Sequence, residues 1–206
     1  LSSAAFFLVG ASIAPGSDLT LEHVGMNPTR TGCIDILRRM GADIEIASQR
    51  ETGGEPVADL RVRSARLHGI EVPTELVALA IDEFPAIFVA ACCAEGRTVV
   101  RGAGELRVKE SDRIATMAEG LARFGFDTRP TDDGIVIDGR GGDDAVFRAG
   151  RAHAHHDHRI AMSLAIAALR ASGPVEIDDT TNVATSFPGF VELARVAGLD
   201  IKERGR

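Results

Sequence analysis

Leu121-Ala122-Arg123-Phe124-Gly125-Phe126-Asp127-Thr128 ends an amphipathic helix and begins an extended segment, with Gly125 between them. Upstream, Ile114, Met117, Leu121 and Phe124 recur at helical spacing, and glycine is the residue that most readily takes the left-handed conformation closing a helix. The same ending is written twice more. Leu37-Arg38-Arg39-Met40-Gly41-Ala42-Asp43-Ile44 precedes it, and Leu193-Ala194-Arg195-Val196-Ala197-Gly198-Leu199-Asp200-Ile201 follows it. Three copies at a spacing of roughly 70–85 residues are too long for a solenoid repeat and point to one pseudo-threefold domain spanning 1–206.

Each copy pairs two kinds of helix. The amphipathic ones are expected over 31–40, 111–124 and 188–196. The others, over 2–13, 84–94 and 157–171, are apolar on nearly every side, too much so to face water. Pro85 falls in the first turn of the second, where proline is tolerated. Strands are expected over 19–24, 43–47, 60–66, 98–101, around 128, and over 135–137, 175–178 and 199–202. Gly53-Gly54 and Asp132-Asp133-Gly134 read as turns, and Gly139-Arg140-Gly141-Gly142 as a flexible loop. The expected architecture is α/β: three apolar helices bundled centrally, with strands and amphipathic helices wrapped outside. If the copies share an orientation, the positive ends of the central helices converge on one rim.

Composition narrows the partners. The chain has 206 residues, 45% of them hydrophobic, a net charge of −7, and neither Trp nor Tyr. The missing basic run and stacking aromatics exclude nucleic acid as an expected partner. Cys33, Cys92 and Cys93 suit a reducing compartment better than a disulfide framework. The apolar opening has no basic leader and no initiator Met, so it reads as a buried helix in a piece of a longer chain. No apolar run is expected to reach membrane-span length.

Chemistry-bearing residues gather at the expected rim. Arg107-Val108-Lys109-Glu110-Ser111-Asp112-Arg113 leads into the second amphipathic helix, with Ser111 or Asp112 placed to cap it. Free N–H groups and the charges of Lys109 and Arg113 there favour an anion, although a solvated helix start with surface ion pairs accounts for the same residues. Asp82 stands before the second apolar helix, either as a cap or as a carboxylate able to take a proton from a substrate hydroxyl. His156-Asp157-His158-Arg159 starts the third apolar helix, where an arginine is hard to hide without a ligand or carboxylate partner. His153, His155, His156 and His158 match no standard zinc spacing and have no cysteine near, so no metal is expected.

Four segments in order, Ile81-Asp82-Glu83-Phe84-Pro85, Leu106-Arg107-Val108-Lys109-Glu110-Ser111-Asp112-Arg113, His156-Asp157-His158-Arg159-Ile160-Ala161-Met162 and Thr185-Ser186-Phe187-Pro188-Gly189-Phe190, jointly resemble the C-terminal part of the 5-enolpyruvylshikimate-3-phosphate (EPSP) synthase family. The resemblance covers essentially the whole chain. It implies an inside-out α/β barrel of three repeats, one of two similar domains that close on substrate at a hinge. It also implies transfer of the enolpyruvyl group of phosphoenolpyruvate to the 5-hydroxyl of shikimate 3-phosphate with release of phosphate, in the shikimate pathway towards chorismate and the aromatic amino acids. Asp82 resembles the proton acceptor, which also holds the shikimate hydroxyl, and Lys109 a shikimate-side contact near the reacting centre. Glu110 resembles the acid–base residue serving the methylene carbon, and Arg113 and Arg159 the phosphoenolpyruvate clamp. Asp157 and His158 are implied as lesser substrate contacts.

By the same resemblance no metal or organic cofactor is needed, and the full enzyme is monomeric and cytoplasmic, with no membrane partner. The chain would lack its own N-terminal domain, including a short segment that crosses into this one, and would be inactive alone. Two positions depart from the pattern: Thr185-Ser186 stands where some members have a lysine, and Glu105 where some have asparagine. The alternatives are the sister transferase acting on UDP-N-acetylglucosamine and a non-catalytic binding domain of the same fold.

Overall fold

The computed structural model describes residues 1–204. Its centre is a bundle of three mutually packed helices, α1 (Ala4–Ile13), α4 (Phe84–Cys93) and α6 (His158–Ala167). Residues 5–13 of α1, all of α4 and residues 160–167 of α6 are buried. Such helices have no polar face to present to water, and each buried Leu, Ile, Val or Phe contributes about 1.5–3 kcal/mol by leaving it. Ser12, buried in α1, satisfies its hydroxyl within the helix by donating to Leu8 O at 2.7 Å.

Around the bundle run β1 (Asp18–Gly25), α2 (Gly32–Arg39), β2 (Asp43–Thr52), β3 (Glu55–Arg63) and α3 (Thr74–Val77) before α4. After it come β4 (Glu95–Val100), α5 (Arg113–Arg123), β5 (Arg129–Thr131), β6 (Gly134–Arg140) and β7 (Gly150–His153). The chain ends with β8 (Val175–Asp178), α7 (Thr181–Ser186) and α8 (Phe190–Val196) beyond α6. Antiparallel pairing orders the first sheet β1-β3-β2 and the second β4-β6-β5. In both, two parallel outer strands are joined across an amphipathic helix and share a middle strand supplied by the hairpin that follows. This repeated plan is the inside-out α/β barrel of three repeats.

The three similar helix endings share one geometry. Gly41, Gly125 and Gly198 have φ of +95°, +73° and +100°. In each case the next residue's N–H (Ala42, Phe126, Leu199) reaches back to the carbonyl of Leu37, Leu121 or Ala194, at 2.9 Å every time. That 6→1 bond satisfies a helix-end carbonyl and requires the left-handed glycine.

Four expectations need correction. Residues 199–202 form no strand, because the third copy has no middle strand among the described residues and so no ladder to join. β7, unforeseen, pairs in parallel with β8, from Gly150↔Val175 to His153↔Asp178. Gly139 and Arg140 are not loop but the end of β6. A Cβ at Gly139 would lie 2.2 Å from Ala94 O and 2.3 Å from Ala91 O, so the glycine permits the strand's close approach to α4. Finally, α3, a 3-10 turn (Ala78–Glu83) and α4 make a 20-residue apolar run, Thr74–Cys93, with membrane-span length and composition. It is kinked at Ala80 and 78% of its apolar window is buried against the rest of the fold, which makes it a core element.

Candidate active site

The heads of the three central helices meet. Arg159, in the first turn of α6, donates from Nη1 to Asp82 O, just before α4, at 2.9 Å. Arg30, which ends the 3-10 turn Pro28–Arg30 before α2, lies 3.7 Å from Asp82 Oδ2 and donates to Ser2 Oγ, at the head of α1, at 3.4 Å. Side chains from all three copies therefore share one rim.

Arg113 is the hub. It opens α5, and Asp112 caps that helix by accepting from Ala115 N at 3.0 Å. Arg107 fixes the cap: its Nη1 donates to Asp112 Oδ2 at 2.6 Å and its Nε to Asp132 O, in the β5–β6 turn, at 2.8 Å. The Arg113 side chain is 1% exposed and spends its donors on three carboxylates, Asp157 Oδ2 (2.8 Å), Glu110 Oε2 (2.6 Å) and Asp82 Oδ1 (3.3 Å). Of these, Glu110 is half exposed, Asp82 a quarter exposed and Asp157 wholly buried.

Asp157 caps α6, accepting from Arg159 N at 2.9 Å, and also accepts from Ser111 Oγ at 3.0 Å. Burial opposes its ionisation. The hydrogen bond and charge of Arg113, aided by the bonds from Arg159 N and Ser111, outweigh burial and hold the carboxyl below its ordinary value. Its oxygens are engaged by protein donors, which places it behind Arg113 and away from solvent. His158 titrates below its usual range, chiefly because it is half-buried and secondly because Arg159 is adjacent.

Lys109 approaches Asp82 Oδ1 to 3.7 Å and pairs with Glu105. The departure at Glu105 thus supplies a carboxylate partner to Lys109. Thr185 and Ser186 are exposed in α7. Asp82, Lys109, Glu110, Arg113 and Arg159 are all brought together on the rim.

Two participants escape a reading of the sequence. Glu83 is 3% exposed, with Oε1 lacking a hydrogen-bond donor and Arg159 Nη1 3.7 Å away. Its place at the head of an apolar helix was the available signal. Asp179 binds the histidine turn that precedes α6, a contact joining positions 23 residues apart with no local pattern. Among the described residues no group of three His, Cys, Asp or Glu side chains is arranged to hold a metal. His156 turns Nδ1 to Asp179 at 2.8 Å, and His155 turns Nε2 to Glu119 at 3.3 Å. All three cysteines are free and buried, and burial pushes the Cys93 thiol up to about 12.

Chemically, the rim offers a partly exposed carboxylate (Asp82) and an exposed one (Glu110) for proton transfer, beside guanidinium groups fixed in direction for carboxylate or phosphate.

Comparison with known proteins gives a consistent result. A family model described as EPSP synthase (3-phosphoshikimate 1-carboxyvinyltransferase) matches residues 1–193. The chain is 65% identical over 205 residues to the 3-phosphoshikimate 1-carboxyvinyltransferase of Halorhodospira halophila, covering 100% of this chain and 45% of that protein. It is 65% identical over 202 residues to that of Methylococcus capsulatus, covering 98% and 45%. Among solved structures, an EPSP synthase from Acinetobacter baumannii superposes with a TM-score of 0.95 at 58% identity, over 98% of this chain and 46% of that one. The enolpyruvyl transferase NikO from Streptomyces tendae, 22% identical with a TM-score of 0.69 over 98% of this chain and 43% of that one, shares the fold. The chain thus spans about 45% of the length of the curated relatives it matches. With a family model covering nearly all of it and the same three-repeat architecture, the chain belongs to the EPSP synthase family.

Proposed function

We propose that residues 1–206 form one domain of an EPSP synthase and carry its proton-transfer groups and part of its phosphoenolpyruvate clamp. The observation that supports this most is the convergence of Asp82, Lys109, Glu110, Arg113 and Arg159, drawn from separate copies of the repeat, on the helix-head rim. In this reading Asp82 accepts the proton of the shikimate 5-hydroxyl and Lys109 orients that substrate. Glu110 delivers a proton to the methylene carbon, and Arg113 and Arg159 hold the carboxylate and phosphate of phosphoenolpyruvate. Addition to an enol ether needs these three services and no metal or organic cofactor.

Arg113 can grip a substrate carboxylate with both terminal nitrogens only by exchanging a partner, since both donors of Nη2 and one of Nη1 already face protein carboxylates. Glu110, the most exposed of its three carboxylates, is the one to give way. Substrate carboxylate arriving on Nη2 would release Glu110 from its cation, and the freed carboxylate, having taken up a proton from solvent, could then deliver it as the acid.

The partners in this reading are shikimate 3-phosphate, phosphoenolpyruvate and the enzyme's own N-terminal domain, in a monomeric cytoplasmic protein. An apolar groove lined by Phe7, Ala11, Leu19, Ile166, Ala194 and Leu199 lies beside the copy that lacks a middle strand, a fitting seat for a segment from that other part.

The test is phosphate release from phosphoenolpyruvate by the full-length parent, with shikimate 3-phosphate or UDP-N-acetylglucosamine as acceptor, run beside the isolated chain. Turnover is expected with shikimate 3-phosphate alone, and only in the full-length protein. Turnover with the nucleotide sugar, or none with either, would reject the reading.

A further inference from the structure

The turn that delivers Asp157 and Arg159 is held in an unfavourable backbone conformation. His155 and His156 have φ of +52° and +58°, two successive left-handed residues without a glycine. L-residues avoid that region because Cβ crowds the neighbouring carbonyl, and such outliers persist only when their surroundings impose them.

His155 is held by His153, whose Nδ1 accepts from His155 N at 3.0 Å, and by Glu119 of α5, whereas the groups that hold His156 lie between the end of β8 and α7. Asp178 O accepts from Ala154 N at 3.0 Å. Asp179, itself at φ +61°, accepts from His156 N on Oδ2 at 2.6 Å, while its Oδ1 lies 2.8 Å from His156 Nδ1. Asn182 Nδ2 donates to His156 O at 2.5 Å. Both polar groups of the His156 backbone are thereby taken by one neighbouring segment. The Asp179 side chain is 12% exposed, and its polar contacts are to the histidine turn.

From this we infer that Asp179 is a positioning residue for the phosphoenolpyruvate half of the site, acting through the His155-His156 turn. The turn closes as Asp157 N donates to Ala154 O at 3.0 Å, and Asp157 then sets both the first turn of α6 and the Arg113 guanidinium. Releasing the clamp lets the turn relax towards right-handed backbone and carries Asp157 and Arg159 out of line with Arg113 and Asp82. Lys109, on another copy, has its charged partners in Asp82 and Glu105 and none in this turn, so the effect should fall mainly on phosphoenolpyruvate.

This inference rests on the reading of the site proposed above. The experiment measures phosphate release by the full-length parent and by its Asp179→Ala, Asp179→Asn and Asn182→Ala variants, with each substrate varied in turn. Asp179→Ala should raise the KM for phosphoenolpyruvate about tenfold and leave that for shikimate 3-phosphate within about twofold, the size of one lost charge-assisted bond. Asp179→Asn keeps an acceptor for His156 N and should recover most of the loss. Asn182→Ala should raise the same KM about threefold, which keeps the test decisive should Asp179→Ala fold poorly. Unchanged kinetics, or a parallel rise in both KM values, would overturn the inference. An inactive wild type would instead reject the proposed function.

Discussion

Arg113 Nε lies 2.8 Å from Asp157 Oδ2, with the two side chains 1% and 0% exposed, and the pair joins the second repeat to the third. Two charges so far from water are tolerable only because Ser111, Arg159 N, Glu110 and Asp82 satisfy what the pair leaves over. The pair sets the direction of the rim's central cation.

Removing the carboxylate alone should therefore be severe. Asp157→Ala leaves a buried guanidinium without its closest counter-ion and is expected to cost about 3 kcal/mol. That is the low end of the usual ~3–5 kcal/mol, because Glu110 and Asp82 still face Arg113. Urea denaturation of the full-length parent measures it, and a loss under about 1 kcal/mol would show that the pair is not a major support.

Acid should act through the same group. Asp157 has its folded-state pKa held below the unfolded value of about 4, so the stability it contributes is fully present above pH ~4. It is lost as pH falls through the lower folded value. Urea midpoints of the wild type should drop below pH ~4 more steeply than those of Asp157→Asn, which has no proton to gain. Parallel curves would exclude Asp157 as a contributor.

Glu110→Gln should separate binding from chemistry. The neutral amide competes less well for Arg113, so phosphoenolpyruvate should bind about three- to tenfold tighter, a change of roughly 0.7–1.4 kcal/mol. Turnover should fall by about 10²–10⁴-fold for want of the acid. Calorimetric titration in the presence of shikimate 3-phosphate reads the first and phosphate release the second. Weaker binding would show that Glu110 does not compete with substrate.

Asp82→Asn and Arg159→Ala should fail differently. On the proposed reading Asp82→Asn removes the proton acceptor and should lower kcat by about 10²–10⁴-fold at near-constant KM. On the same reading Arg159→Ala removes part of the clamp and should weaken phosphoenolpyruvate by about 1.5–3 kcal/mol, roughly 10- to 150-fold in affinity. Near-normal turnover in the Asn variant would remove Asp82 from the chemistry.

The repeat was legible because its signals are local. The apolar helices announce themselves by having no polar face, and the glycine endings recur in the same setting. Local signals also misled. Leu199 to Lys202 looks like a strand, yet a strand needs a neighbour, and whether one exists is a property of the whole sheet. β7 was missed because Gly150-Arg151-Ala152-His153 is short and buries only Ala152, its pairing visible only once β8 is beside it. At the site, the identities of Arg113 and Asp157 could be read, but not the burial of an arginine whose partner stands 44 residues away.

The rim's self-pairing bears on how a ligand finds it. Four cations, Arg30, Lys109, Arg113 and Arg159, stand among five carboxylates, Asp82, Glu83, Glu105, Glu110 and Asp157. Seen from beyond a Debye length, about 8 Å at physiological salt, that mixture has little positive field with which to draw in an anion. Electrostatic steering of an anion is therefore not expected from this face. Capture at this face is short-range, and its contribution to the association rate should vary little with ionic strength.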